Sequence, residues 1–343
     1  MKHTKQNSAR IAALFCFGLL LFAGCKDLFH SDGSDGSGDS TMPSNLSLAD
    51  SLIWISNNAA DGGNYTITLS ANASIAPKML SYNGKNVNIT LAGGSTERTV
   101  YLVQPGPSLT VDSGVTLTLD NNLTLQGRNG NADALVWVDN GGMLVMNAGS
   151  KVSGNTSSSY GGGVFVSGGT FTMSGGTISG NTASSGGGGG GGVFVSGGTF
   201  TMSGGTISGN TASSASVGKG GGVYVSSGGT FTMSGGTISG NTASSSFGGG
   251  VYVYLGAFTM SGGTISGNSS ASGGGVAVTS GTFTKQGGTI YGSNASSLLK
   301  NTAANGNSYG HAVYVINGGK RDTTAGTGVT LDSSVSGSSG GWE

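Results

Sequence analysis

Few residues in this chain have the type and spacing to do chemistry. Gly306-Asn307-Ser308-Tyr309-Gly310 has the Gly-x-Ser-x-Gly spacing that lifts a serine hydroxyl onto a strand-to-helix turn, and His311 follows it. That turn needs a helix behind it, whereas Ala312-Val313-Tyr314-Val315 alternates as a strand and no acidic residue is near in sequence. A chain with 70 glycines and abundant serine meets the pattern by chance. Val217-Gly218-Lys219-Gly220 sets a lysine among glycines as a phosphate loop does, but lacks the first glycine at the right spacing and the hydroxyl after the lysine. The run from Gly186 to Gly192 reads as an elongated corner, so no nucleotide site is expected. Between Asp139 and Asp322 there is no Asp or Glu, so neither the carboxylate pair of glycoside hydrolysis nor an oxygen cage for Ca²⁺ is available there. Upstream, Asp112, Asp120, Asp133 and Asp139 each adjoin Asn, Ser or Ala at a turn and read as solvated turn formers. The expectation is a protein with no catalytic residue, no metal site and no cofactor.

Two rows of side chains are better placed to bind than to react. Phe165, Phe194, Tyr224, Tyr252 and Tyr314, interrupted by Ala277, fall at one outward position of successive repeats. Such a ladder of rings can stack on sugars, or simply on itself. The pairs Thr170/Thr172, Thr199/Thr201, Thr230/Thr232 and Thr282/Thr284 form the other row, broken at Ala257. They resemble the Thr-x-Thr arrays of ice-binding solenoids, but Thr is a favoured strand residue in any case.

Tandem repeats must position these rows. The unit is Gly-Gly-Val-(Phe/Tyr)-Val, then Gly-Gly-Thr-Phe-Thr-Met-Ser-Gly-Gly-Thr-Ile-Ser-Gly-Asn, then a Ser/Ala-rich joint. The closing asparagines are Asn155, Asn181, Asn210, Asn241, Asn268 and Asn294, spaced 26, 29, 31, 27 and 26 residues apart, with the differences absorbed in the joints. Alternation along each short strand sends Val164, Val166, Phe171, Met173 and Ile178 inward, and Phe165, Thr170 and Thr172 outward. Five buried apolar side chains cannot offset the conformational entropy lost in ordering a whole repeat, so a repeat needs neighbours stacked on it. The expected fold is all-β: a right-handed parallel β-helix with three short strands per coil and glycine pairs at the corners. The recurrent Asn is suited to a hydrogen-bonded ladder at one corner.

Weaker copies extend upstream through Val136-Trp137-Val138, Val115 to Leu125, Val87 to Leu91 and Tyr65 to Leu69, and downstream to Val329-Thr330-Leu331. Ser47-Leu48-Ala49-Asp50 reads as a capping box opening a short helix through Ile55, which would lid the first coil. Nine or ten coils would make a rod ~45 Å long. The joints carry the residues that depart from the repeat: Tyr160, Lys219, Phe247, and Leu298, Leu299, Lys300 and Tyr309 in the longest. All are read as following the Asn corner, which would align them along one edge as a partner-facing surface.

The first residues read as an address. Lys2, Lys5 and Arg10 precede an uncharged apolar run from Ile11 to Ala23 of 13 residues, short of the ~20 a membrane helix needs. The run ends in Leu21-Phe22-Ala23-Gly24-Cys25, which resembles the lipobox of bacterial lipoproteins, with Phe22 where leucine is usual. The resemblance implies a signal peptide over 1–24, a lipid on Cys25, a membrane partner through that lipid, and a place on the bacterial outer membrane. Residues 25–45, rich in Ser, Gly and Asp, read as a tether reaching ~25 Å, residues 46–335 as the β-helix, and 336–343 as a tail.

Gly-Gly-Thr-Ile-Ser-Gly-Asn with Phe-Thr-Met is similar to the repeats of pectin-lyase-like β-helix proteins, and to those of polymorphic outer-membrane proteins and spirochaete surface lipoproteins. The resemblance covers roughly residues 45–335 and is dense over 135–294. The membrane barrel that usually closes polymorphic outer-membrane proteins has no counterpart in this sequence, and the acidic clusters of the lyases are missing from the repeats. Net charge is zero and charged residues are 8%, without the basic surface that nucleic acid requires. Taken together, the residues and the resemblance imply a non-catalytic surface protein that meets a host protein, or a glycan through the aromatic row.

Overall fold

The structure, a computed structural model, describes residues 41–184, 189–213, 218–292, 295–304, 310–316, 320–322, 330–331 and 335–336. The segment expected as a signal peptide, Cys25, the expected tether as far as residue 40, Val217, Asn294, Ser308, Tyr309 and residues 337–343 lie outside the described residues.

Alternating apolar and polar residues form strands, and each strand pairs with its counterpart one repeat away. Three parallel sheets of ten strands result. Sheet A contains the Thr-Phe-Thr-Met strands, such as Thr170–Met173 beside Thr199–Met202, with Phe171 on Phe200 and Met173 on Met202. Sheet B contains Thr-Ile-Ser strands such as Thr177–Ser179, and sheet C contains Val-Phe-Val strands such as Val164–Ser167. One coil is a single pass through A, B and C, as the repeat predicts.

The inward positions are those the alternation assigns. Val164, Val166, Phe171, Met173 and Ile178 are fully buried, as are their counterparts in the following coils. Phe171, Phe200, Phe231, Phe258 and Phe283 stack with ring centroids 4.5, 4.6, 4.7 and 4.9 Å apart. That separation equals the ~4.8 Å between hydrogen-bonded strands, so the backbone ladder sets the ring stack.

The joint is more regular than expected. Across the repeats it supplies a fourth, six-stranded sheet D, running from Thr156–Ser157 to Thr302–Ala303. Its cause is the need to pair backbone groups beside a buried corner. Thr182 N donates to Asn155 O at 2.7 Å, and Thr211 N donates to Asn181 O at 2.8 Å.

The Asn ladder is present and longer than the motif suggests. Asn155, Asn181, Asn210, Asn241 and Asn268 have no exposed surface, and Asn131 and Asn301 extend the row. Nδ2 of Asn210 donates to Oδ1 of Asn241 at 3.0 Å and to the Ile178 carbonyl at 2.9 Å. Asn301 takes the rung expected of Asn294, because Asn301-Thr302-Ala303 repeats the Asn-Thr-Ala that leads into sheet D. Glycine leaves room for the ladder: a Cβ on Gly192 would lie 2.8 Å from the Gly222 carbonyl and 3.0 Å from Asn210 Nδ2.

Helix α1 (Leu48–Asn58) closes the first coil. Ser47 caps it, its hydroxyl oxygen accepting from Asp50 N at 3.1 Å. Leu48, Leu52 and Ile55 join the coil core, and Trp54 meets Tyr65 edge-on at 6.0 Å. The helix runs three residues past its expected end at Ile55.

Candidate functional site

Sheet C carries the aromatic row on its outer face. Register aligns Trp137, Phe165, Phe194, Tyr224, Tyr252, Ala277 and Tyr314. Of the two readings of the row, stacking on a sugar or on itself, the burial fits the second, and the rings are less exposed than either reading assumed. Phe165, Phe194, Tyr224 and Tyr252 are 1–8% exposed, Tyr314 is half-buried, and the row forms a second hydrophobic cluster apart from the coil interior. The joints cover it. Gly189 lies so close that a Cβ there would fall 2.0 Å from Tyr224 Cδ1. Tyr160 stacks on Phe194 at 5.1 Å. Phe247 stacks between Tyr252 and Tyr314, at 5.8 and 6.2 Å, in the gap left by Ala277. Their ring faces are occupied by protein. Burial pushes the Tyr224 phenol up to about 12 and raises that of Tyr252, so both are neutral at physiological pH.

Beside this cluster three large side chains remain exposed: Tyr160, Tyr254 and Leu255. Tyr254 lies nearly parallel to Tyr252, centroids 6.4 Å apart. Lys219 reaches over both rings, its Nζ 5.5 Å from the Tyr252 centroid and 5.8 Å from that of Tyr254.

The loop residues do not share one edge. Tyr160, Lys219 and Phe247 follow their asparagines, as expected. Leu298, Leu299 and Lys300 precede Asn301, so they belong to the opposite side of the Asn corner, where Gly267 N donates to the Leu299 carbonyl at 2.8 Å. The cause is the shift of the ladder from Asn294 to Asn301. Leu298 is 88% exposed there.

The remaining chemistry-bearing residues have structural partners. Val313–Ile316, which follows Gly310 and His311, is a strand, so the helix of a nucleophile elbow is missing. His311 is buried, and its Nδ1 accepts from Ala303 N at 3.1 Å. Asp139 accepts from Trp137 Nε1 at 2.9 Å, and Asp120 from Asn147 Nδ2 at 3.3 Å. Hydrogen bonds from the Ser81 hydroxyl and Ser113 N hold the Asp112 carboxyl below its usual range. Among the described residues no three His, Cys, Asp or Glu side chains converge. The Thr rows align on the outer face of sheet A and break at Ala257.

Sequence reading missed Lys285. It replaces methionine in the fifth Phe-Thr-Met, pairs with Met260 in register, and is fully buried. Its ammonium donates to the Gly288 and Gly287 carbonyls at 2.7 and 3.2 Å, and burial lowers its pKa. Strand alternation alone would have placed it inside.

A family model described as a right handed beta helix region matches residues 113–290, just over half of the chain. No curated protein and no solved structure matches.

Proposed function

Because this chain belongs to the right-handed β-helix family, we propose that it is a non-catalytic, lipid-anchored envelope protein, a rigid scaffold displayed at the bacterial surface for adhesion, host contact or antigenic display. One observation carries the reading: successive coils stack their inward side chains and the corner asparagine on their counterparts one repeat away, so the repeat is spent on stacking rather than on a cleft. Loops set on such a scaffold can change without disturbing it. The lack of carboxylates between Asp139 and Asp322 supports a non-catalytic role. The Leu21-to-Cys25 motif supports the lipid and the outer-membrane address.

The anchor is tested with Cys25→Ala. The parent should partition into the detergent phase and sediment with outer membranes, whereas the variant should be released or stall in processing. A variant that is processed normally and still partitions fully would overturn the anchor.

A further inference from the structure

The repeats are near-identical, so departures from them are informative, and three from two coils meet at one place. Lys219 is the only charged residue between Lys151 and Lys285. Its bridge partner in the preceding coil is Gly189. Tyr254 follows Val253 in register with Val225, where earlier coils have Ser167, Ser196 and Ser226. Leu255 has φ 55°, at a corner where earlier coils use Gly168, Gly197 and Gly228 with φ 79°, 68° and 72°. Leucine is disfavoured in that left-handed region, and here it is 47% exposed, so packing does not compensate the strain.

We infer that the corner formed by Lys219, Tyr254 and Leu255 is a docking surface for a protein partner that presents an acidic side chain beside an apolar one. The inference rests on the reading of the chain as a surface scaffold and gives that scaffold its contact point. Lys219 is half-buried as a residue, and its ammonium lies over two tyrosine rings. It has neither a hydrogen-bond acceptor nor an acid among the described residues. The rings hold the cation in place, and a carboxylate is the group an ammonium binds best. Leu255 offers an aliphatic surface, which complements an apolar side chain rather than a polyol. Tyr254 has one face turned to Tyr252, with Lys219 beside it, so a sugar ring would have a single aromatic face to stack on. These features favour an acidic peptide segment over a glycan.

The test uses full-length chain and a variant returned to the residues of the sister coils, Lys219→Gly with Tyr254→Ser and Leu255→Gly. The earlier coils fold with those residues, so the variant should keep its melting temperature. The probe is a peptide array in which Asp/Glu and Leu/Tyr positions are permuted against neutral and basic counterparts. Binding of acidic-apolar peptides that weakens with salt and falls at least tenfold in the variant is expected, with Lys219→Arg retaining most of it. Equal binding by parent and variant, no preference for acidic peptides, or selective binding to a glycan array instead would overturn the inference. Beads coated with either chain are applied in parallel to animal-cell monolayers. Adhesion of both to the same extent leaves the scaffold reading standing and removes this surface from it, whereas adhesion of neither rejects adhesion as the scaffold's role and overturns this surface as its contact point.

Discussion

Replacing Asn210 by alanine removes one rung from the middle of the ladder. Its Oδ1 accepts from Asn181 N at 3.0 Å and from Asn181 Nδ2 at 3.1 Å, and its Nδ2 donates to the Ile178 carbonyl and Asn241 Oδ1. Without it, the buried Asn181 N–H has no acceptor, at a cost of about 1–3 kcal/mol, and three further groups each lose a bond worth about 0.5–1.5 kcal/mol. The expected loss is therefore about 3–7 kcal/mol, read from urea unfolding followed by circular dichroism. Asn210→Asp keeps the shape but loses both donors and faces the Asn241 oxygen, so its carboxyl pKa is expected to rise in the folded chain. Folding then favours the protonated acid, and the variant should gain stability as pH falls from 7 through that raised value, levelling off near the unfolded value of about 3.9. The parent has no such group at this position. An alanine variant within about 1 kcal/mol of the parent, or an aspartate variant that tracks the parent from pH 7 to 4, would falsify the claim that the ladder holds the coils together.

Two further perturbations follow from the same stack. Lys285→Met continues the row Met173, Met202, Met233, Met260 and removes a buried ammonium, so thermal stability should rise by about 1–3 kcal/mol at pH 7. Because burial lowers the Lys285 pKa, folding favours the neutral amine. The parent should recover part of this deficit as pH rises through the lowered folded value toward the ordinary 10.5, and a pH-independent difference between the two proteins would contradict the assignment. Deleting Thr182–Asn210 removes one whole coil and should leave a β-rich spectrum and cooperative melting, whereas deleting only Thr199–Asn210 leaves strands without partners and should abolish folding. Equal melting of the two deletions would refute the one-repeat-per-coil assignment.

The coil interior was legible in the sequence because alternation in a three- or four-residue strand leaves only two choices of face, and one face was apolar at all but a few positions such as Lys285. Val164, Phe171, Met173 and Ile178 follow directly. The rung at Asn301 was obscured because Gly292-Ser293-Asn294 imitates the spacing of the other units, although the tripeptide Asn301-Thr302-Ala303 carried the better signal. The covering of the aromatic row was not legible, since it depends on where joints of unequal length fold. Nothing local in Phe247 shows that it will lie opposite Ala277, in a different coil. The corner at Lys219 was half legible: the lysine stood out as a joint residue that departs from the repeat, but its approach to Tyr252 and Tyr254 is a property of stacking.

Near-identity of the coils also has a kinetic consequence. The strands Thr170–Met173, Thr199–Met202 and Thr230–Met233 are the same tetrapeptide, so each can pair with either of the others at almost equal local energy. A chain that skips one repeat while collapsing meets no local penalty, and the error shows only as an unpaired loop. What breaks the degeneracy is the non-repeating start. The strands Gly63–Thr68 and Val87–Ala92 differ in sequence from the repeats and pair with each other, and Val87–Ala92 pairs on its other edge with Val115–Leu119, so the stack that starts at helix α1 leads to the repeats in one fixed order. The unequal upstream coils are thus the part of the stack whose register is unambiguous, and a chain shortened by them is expected to refold with more mispaired repeats than the parent.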